Sequence, residues 1–186
     1  MSTFDLPRAV EFGGKNWSVR TDFRDVLTIL QAFDDPDLSE QEKAFVCLHN
    51  LYREFETIPR EQYQEAFDAA VRFIDRDQPP GTPGPRTMDW TQDAPLIFPA
   101  VNAVAGCEVR AKKYLHWWTF CGYFMEIKDS TAATVFSLRQ KRAKGKKLEK
   151  WEKEYWQDNL SMCKLRKRLT KEEREEEARL NALLGG

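Results

Sequence analysis

The first hydrophobic pattern along the chain has a period of two. In AVEFGGKNWSVR, Val10 and Phe12 alternate before a Gly13-Gly14 turn, and Trp17 and Val19 alternate after it, which predicts a short β-hairpin over residues 9–20. From Thr21 the period becomes helical. Phe23, Val26, Leu27, Leu30 and Phe33 share one face of a predicted helix that ends at DDPD. Ser39 and Glu42 then form an S-x-x-E capping box ahead of a second stripe, Phe45, Leu48, Leu51, Tyr52 and Phe55. Pro59 suits the first position of a third helix, with Tyr63, Ala66, Phe67, Ala70 and Ile74 on its apolar face. These three helices can bury one another's faces.

The stretch QPPGTPGPRT, residues 78–87, interrupts the pattern and predicts a long Pro/Gly loop. Beyond it, Asp93 opens a helix with Pro95 in its first turn, and Pro99 is expected to kink that helix or shorten its start. The densest apolar run follows, YLHWWTFCGYFMEI at 114–127. On a helical wheel Trp117, Phe120, Cys121 and Phe124 share a face, Tyr114, Trp118 and Met125 share the adjoining one, and His116, Thr119, Tyr123 and Glu126 form a narrow polar stripe. A helix apolar over most of its circumference belongs in the middle of a bundle, and His116 reads as a hydrogen-bonded spacer. A helix starting at Ser130 comes next. A long segment then carries Leu148, Trp151, Tyr155, Met162, Leu165 and Leu169 on one stripe and Trp156, Leu160 and Cys163 on a second. Last, Thr170-x-x-Glu173 opens a charged helix that has only Leu180, Leu183 and Leu184 to bury. The expected fold is mainly α: a helical bundle with a short N-terminal hairpin, one helical domain over residues 1–169, and a projecting charged helix over 170–186.

Charge changes this picture in one place. The formal net charge is −1, yet residues 1–138 carry 14 Lys/Arg against 21 Asp/Glu, residues 139–168 carry 12 against 4, and residues 169–186 carry 3 against 5. One basic segment therefore lies between two acidic ones. Interleaved with Trp151, Tyr155 and Trp156, it makes nucleic-acid binding an alternative function. The pI near 6.2 and a charge distribution that circles the predicted helix disfavour nucleic acid as a partner. The opening residues lack the pattern of a signal peptide, and no apolar run approaches a bilayer span, so a cytoplasmic protein without a membrane partner is expected. The four cysteines, Cys47, Cys107, Cys121 and Cys163, form no CxxC pair and read as reduced thiols. Cys47-x-His49 is too tight for a metal site, and no phosphate-cradling or nucleophile motif occurs, so no cofactor, no metal and no enzymatic activity are expected.

Three stretches carry a resemblance. TDFRDVL at 21–27, DWTQDAPLIFPAV at 89–101 and above all YLHWWTFCGYFMEI at 114–127, followed by SLRQKRAKGKKL at 137–148, resemble the small tail-assembly chaperones of long-tailed siphophages. The resemblance spans about residues 10–150, and the His-Trp-Trp triplet is its most specific part. In those phages the protein is encoded between the major tail protein and the tape-measure protein. It implies a chaperone that binds and solubilises the helical tape-measure protein in the host bacterial cytoplasm and is absent from the mature virion. The major tail protein is a second candidate partner, self-association stays open, and a structural tail subunit is a further alternative. A soluble helical body offering apolar side chains to amphipathic helices suits that task. The expected partner-binding residues are Tyr114, Trp117 and Phe124 on the edge of the His-Trp-Trp helix, and Trp151, Tyr155 and Trp156 on the later stripe.

Overall fold

The computed structural model describes residues 4–79, 81 and 84–184; residues 80, 82 and 83 of the Pro/Gly loop lie outside the described residues. The hairpin forms where alternation places it, with β1 at Ala9–Phe12 and β2 at Lys15–Ser18. The strands are antiparallel, with Val10 opposite Trp17 and Phe12 opposite Lys15. Both turn residues take positive φ, 57° at Gly13 and 69° at Gly14, as a two-residue turn matched to strand twist requires. Gly13 is further constrained by space, since a Cβ there would stand 2.7 Å from the Gln62 side chain.

Three helices pack beneath the hairpin: α1 at Phe23–Asp34, α2 at Glu40–Leu51 and α3 at Tyr63–Ile74. The Ser39/Glu42 capping box starts α2 as its spacing predicts. Two expectations change here. Pro59 precedes a turn of 3-10 helix at Arg60–Gln62, so α3 begins one turn later than the proline suggests. Phe45, expected on the buried stripe of α2, is 54% exposed. The face of α2 that meets the core is centred on Cys47, Leu48 and Leu51, which rotates Phe45 to the edge. Tyr52 lies beyond the helix and is fully buried, and its hydroxyl donates to the Ala66 carbonyl at 2.7 Å.

After the Pro/Gly loop, α4 runs from Ala94 to Ala105 straight through Pro99. The sequence predicts a kink or a late start. Pro99 is exposed, however, and the acceptor that its missing N–H leaves free is the carbonyl of Pro95, in the first turn on the solvent side. Gly106, at φ 67°, closes α4 in the left-handed conformation. The His-Trp-Trp helix, α5, spans Trp117–Met125, and α6 spans Thr131–Ala143 with Ser130 capping Ala133 at 3.1 Å. The long segment predicted next is broken. Helix α7 covers Lys150–Asp158, Asn159 leaves helical geometry, α8 is a single turn at Leu160–Cys163, and residues 164–169 run without helical structure. The Gln92 side chain holds that run from both sides, accepting from the Arg166 amide at 2.9 Å and donating to the Lys164 carbonyl at 2.8 Å.

Two hydrophobic clusters result. The larger one gathers Phe12, Trp17, Phe23, Ile29, Leu51, Phe73, Ile97, Trp117 and Phe120 with their neighbours, and so draws on both sides of the Pro/Gly loop. The smaller one joins Val135, Leu138, Leu148 and Cys163, with Leu96, Phe136, Tyr155 and Trp156 packed against it. The thiols of Cys47, Cys121 and Cys163 are buried and unbridged, and burial pushes Cys47 and Cys121 up to about 12.

The last helix, α9 at Lys171–Leu184, opens on the predicted Thr170/Glu173 capping box. It is exposed wherever its side chains are described, and Arg174 ties it to Asp37 at 2.7 Å. An exposed ion pair contributes well under about 1 kcal/mol. Deleting residues 170–186 is therefore expected to leave the thermal midpoint and the helical circular dichroism band of the remaining chain nearly unchanged. A large fall in the midpoint would show that α9 braces the body.

Candidate interaction site

The resemblance-bearing residues meet inside the molecule. Asp22 caps α1 by accepting from the Arg24 amide at 3.0 Å, and its other oxygen accepts the Leu115 amide, also at 3.0 Å. The backbones then pair: the Phe23 amide donates to the Leu115 carbonyl at 3.0 Å and the Trp117 amide to the Thr21 carbonyl at 2.7 Å. Arg24 pairs with Asp22 at 2.9 Å and reaches the carbonyls of Arg110 and Lys112 at 2.9 and 2.7 Å. TDFR therefore builds the socket from which α5 starts.

His116 is the N-cap of α5 and not part of a polar stripe along it. Its Nδ1 accepts from the Trp118 amide at 3.0 Å, which leaves the proton on Nε2 to be donated to the Pro7 carbonyl at 2.8 Å. The imidazole is 3% exposed. Burial holds its pKa below the usual histidine value, the Pro7 hydrogen bond opposes that shift, and Arg8 adds to it. The adjacent tryptophans then have a shared task. Trp117 Nε1 donates to the Ile74 carbonyl at 2.8 Å and Trp118 Nε1 to the Phe73 carbonyl at 2.9 Å, so both indoles occupy acceptors in the last turn of α3. Their rings pack on opposite neighbours, Trp117 against Phe120 and Trp90, and Trp118 against Phe73.

The other two stretches join through a buried ion pair. Arg139 is 4% exposed and Asp93 1%. The guanidinium grips the carboxylate with two bonds, at 2.6 and 2.9 Å. Its remaining N–H groups donate to the carbonyls of Thr87, Met162 and Cys163 at 3.1, 2.7 and 2.8 Å. All five guanidinium donors are thereby used. Asp93 also accepts the Asp89 amide at 2.9 Å, and Trp90 from the same stretch lies 5.2 Å from the Phe124 ring.

The six expected contact residues divide accordingly. Trp117, at 3% exposure, is core and offers no surface, while Phe124 is half-buried under Trp90. Tyr114 is 48% exposed, and its hydroxyl bonds Thr21 Oγ1 at 2.7 Å. Trp151 is 54% exposed, whereas Tyr155 and Trp156 are half-buried on the smaller cluster, with the Arg142 guanidinium 4.3 Å above the Trp156 ring. Leu160, on α8, adds a 52% exposed side chain to this end of the molecule. Several of the basic residues are spent internally: Arg139 on Asp93, Lys141 on Glu152 and Arg168 on Asp34. Lys144, Lys146, Lys147 and Lys153 remain exposed near Trp151 in the chain.

Sequence reasoning missed a second aromatic surface. Phe45, His49, Phe55 and Tyr63 form a chain of ring contacts with centroids 5.5–5.7 Å apart, and Phe45 and His49 are exposed. No local signal marks it, because the four residues come from α2, a 3-10 turn and α3. A groove of about 640 Å³ also lies between β1 and α3, with Arg8 and Arg72, Glu11 and Asp77 around a floor that includes Val10, Phe73 and Trp118. Among the described residues, no group of three or more His, Cys, Asp or Glu is placed to hold a metal ion, and no helix is long and apolar enough to cross a membrane.

Fold and site together define a small, mainly helical protein whose most distinctive residues brace the chain while other aromatics stand at the surface. The chain belongs to the Bacteriophage Gp15 protein family, whose model matches residues 3–165. No curated protein and no solved structure matches it.

Removing one partner of the buried pair leaves the other desolvated and alone, so Asp93→Ala is expected to cost about 3–5 kcal/mol in urea unfolding. A loss below about 1 kcal/mol would show the pair to be dispensable. The cap at His116 has a pH signature. A folded pKa below the unfolded value of about 6.5 means that the contribution is complete above that pH and is lost as pH falls toward the folded value. The urea midpoint is therefore expected to drop between pH 8 and pH 5.5. His116→Asn, which can cap without titrating, should flatten that part of the profile.

Proposed function

We propose that this bacteriophage protein is a tail-assembly chaperone that binds and solubilises the tape-measure protein, acts without catalysis in the host cytoplasm, and is left out of the finished virion. Membership of a bacteriophage family supports the setting, and the resemblance of the His-Trp-Trp stretch and its companions supports the role. The observation that carries the binding reading is the exposure of two large apolar side chains, one on α7 and one on α8. Trp151 and Leu160 are each more than half exposed there. A tape-measure protein presents long amphipathic helices, and an aromatic anchor with charged residues near it can cover an apolar stripe while keeping the complex soluble.

The contact set proposed for the client is Trp151 and Leu160, with the outer edges of Tyr155 and Trp156 and, at the other end of the resemblance, Tyr114. Co-expression with the tape-measure protein of the same phage is expected to move that protein from the insoluble to the soluble fraction as a co-purifying complex that persists in moderate salt, because apolar contacts are little screened. Trp151→Ala should weaken recovery of the complex while leaving the melting temperature of the protein unchanged. Recovery of the protein in purified virions with no complex formed would overturn the assignment, and a steep loss of nucleic-acid affinity with salt would favour the basic segment as a phosphate-binding surface.

A further inference from the structure

The acidic and basic parts of the chain each carry an exposed aromatic, Phe45 and Trp151. On the acidic side is the ring cluster of Phe45, His49, Phe55 and Tyr63. Around it in the chain stand Glu42, Glu54, Glu56 and Glu61, all exposed, with Lys43, Arg53 and Arg60 as the opposing charges. On the basic side Trp151 projects from the first turn of α7, where its indole N–H donates to Glu149 at 3.1 Å; near it in the chain the exposed lysines at 144, 146, 147, 150 and 153 outnumber the exposed Glu149 and Glu154. In a single chain Phe45 and Trp151 are each 54% exposed. Each surface therefore has an apolar centre, and the charges beside it in the chain are of opposite net sign.

We infer that these two surfaces are partners between copies: the Trp151 corner of one molecule docks on the Phe45 cluster of a second. Charge complementarity selects the occupant, since like rims repel and the basic rim of the same chain is the counterpart on hand. An aromatic anchor entering an aromatic surface, with lysines facing glutamates around it, has the arrangement of a hot spot with a polar rim. The contact joins two different surfaces, so it is heterologous. After one contact forms, each pair still displays one free surface of each kind, and association continues by addition of copies until a ring closes. Trp151 also belongs to the proposed client surface. The experiment that follows contains no client, so this inference and the client reading fail separately.

Sedimentation velocity of the purified protein over a concentration series tests it. The wild type is expected to grow beyond a dimer as concentration rises, and to do so less at high salt. Phe45→Ala and Trp151→Ala should each remain monomeric with an unchanged melting temperature, because both side chains are largely exposed. The equimolar mixture of the two variants is the decisive sample. The first retains an intact Trp151 corner and the second an intact Phe45 cluster, so the mixture should form a dimer and stop there. A wild type that stays monomeric throughout, single variants that associate as the wild type does, or a mixture that stays monomeric would each overturn the inference.

Discussion

The Asp93–Arg139 pair holds the two halves of this molecule's interior together. Taking two charges out of water costs several kcal/mol for each ion, and the pair persists because every guanidinium N–H finds an oxygen. Three of those oxygens are backbone carbonyls, from the approach to α4 and from the end of α8. The ion pair therefore also fixes where the chain leaves helical geometry after Cys163. Phe136 packs on both clusters, and the ion pair adds a polar tie beside it.

The same economy appears around His116. A histidine followed by two tryptophans invites a reading as a binding surface, yet here the imidazole caps its own helix and both indoles cap another. Helix ends leave backbone groups without partners, and burying such an end requires side chains that reach it from outside. Tryptophan does this with one donor on a large apolar ring, so that the same residue fills the core and satisfies the carbonyl. That leaves Trp151, Leu160 and the Phe45 cluster, which lie away from the most distinctive triplet, as exposed apolar side chains.

Local periodicity made the hairpin, both capping boxes and most helices legible, because each depends on residues close in sequence. It failed where distant contacts decide. The break at Asn159 depends on what Arg139 and Gln92 draw toward themselves, and an unbroken stripe of apolar residues cannot reveal that. Phe45 fits the periodic face of α2 on paper, but the partners of α2 centre the buried arc on Cys47. Pro99 is tolerated because of where its exposed side and its lost acceptor lie, and no rule about proline alone contains that. Exposure among the expected contact residues was the least legible for the same reason: exposure at Trp151 and burial at Trp117 depend on which neighbours arrive.

The span of the buried pair also bears on the order in which the chain can close as it is made. Asp93 leaves the ribosome 46 residues ahead of Arg139, and Arg139 precedes its carbonyl partners at Met162 and Cys163 by a further 23 and 24 residues. A carboxylate does not enter a dry interior without its cation, and that cation's remaining donors find their acceptors at Met162 and Cys163, so the packing of α4 on α6 is completed only after synthesis has passed residue 163. The last part of the chain to be made is thus also the part that closes the ion pair's set of partners.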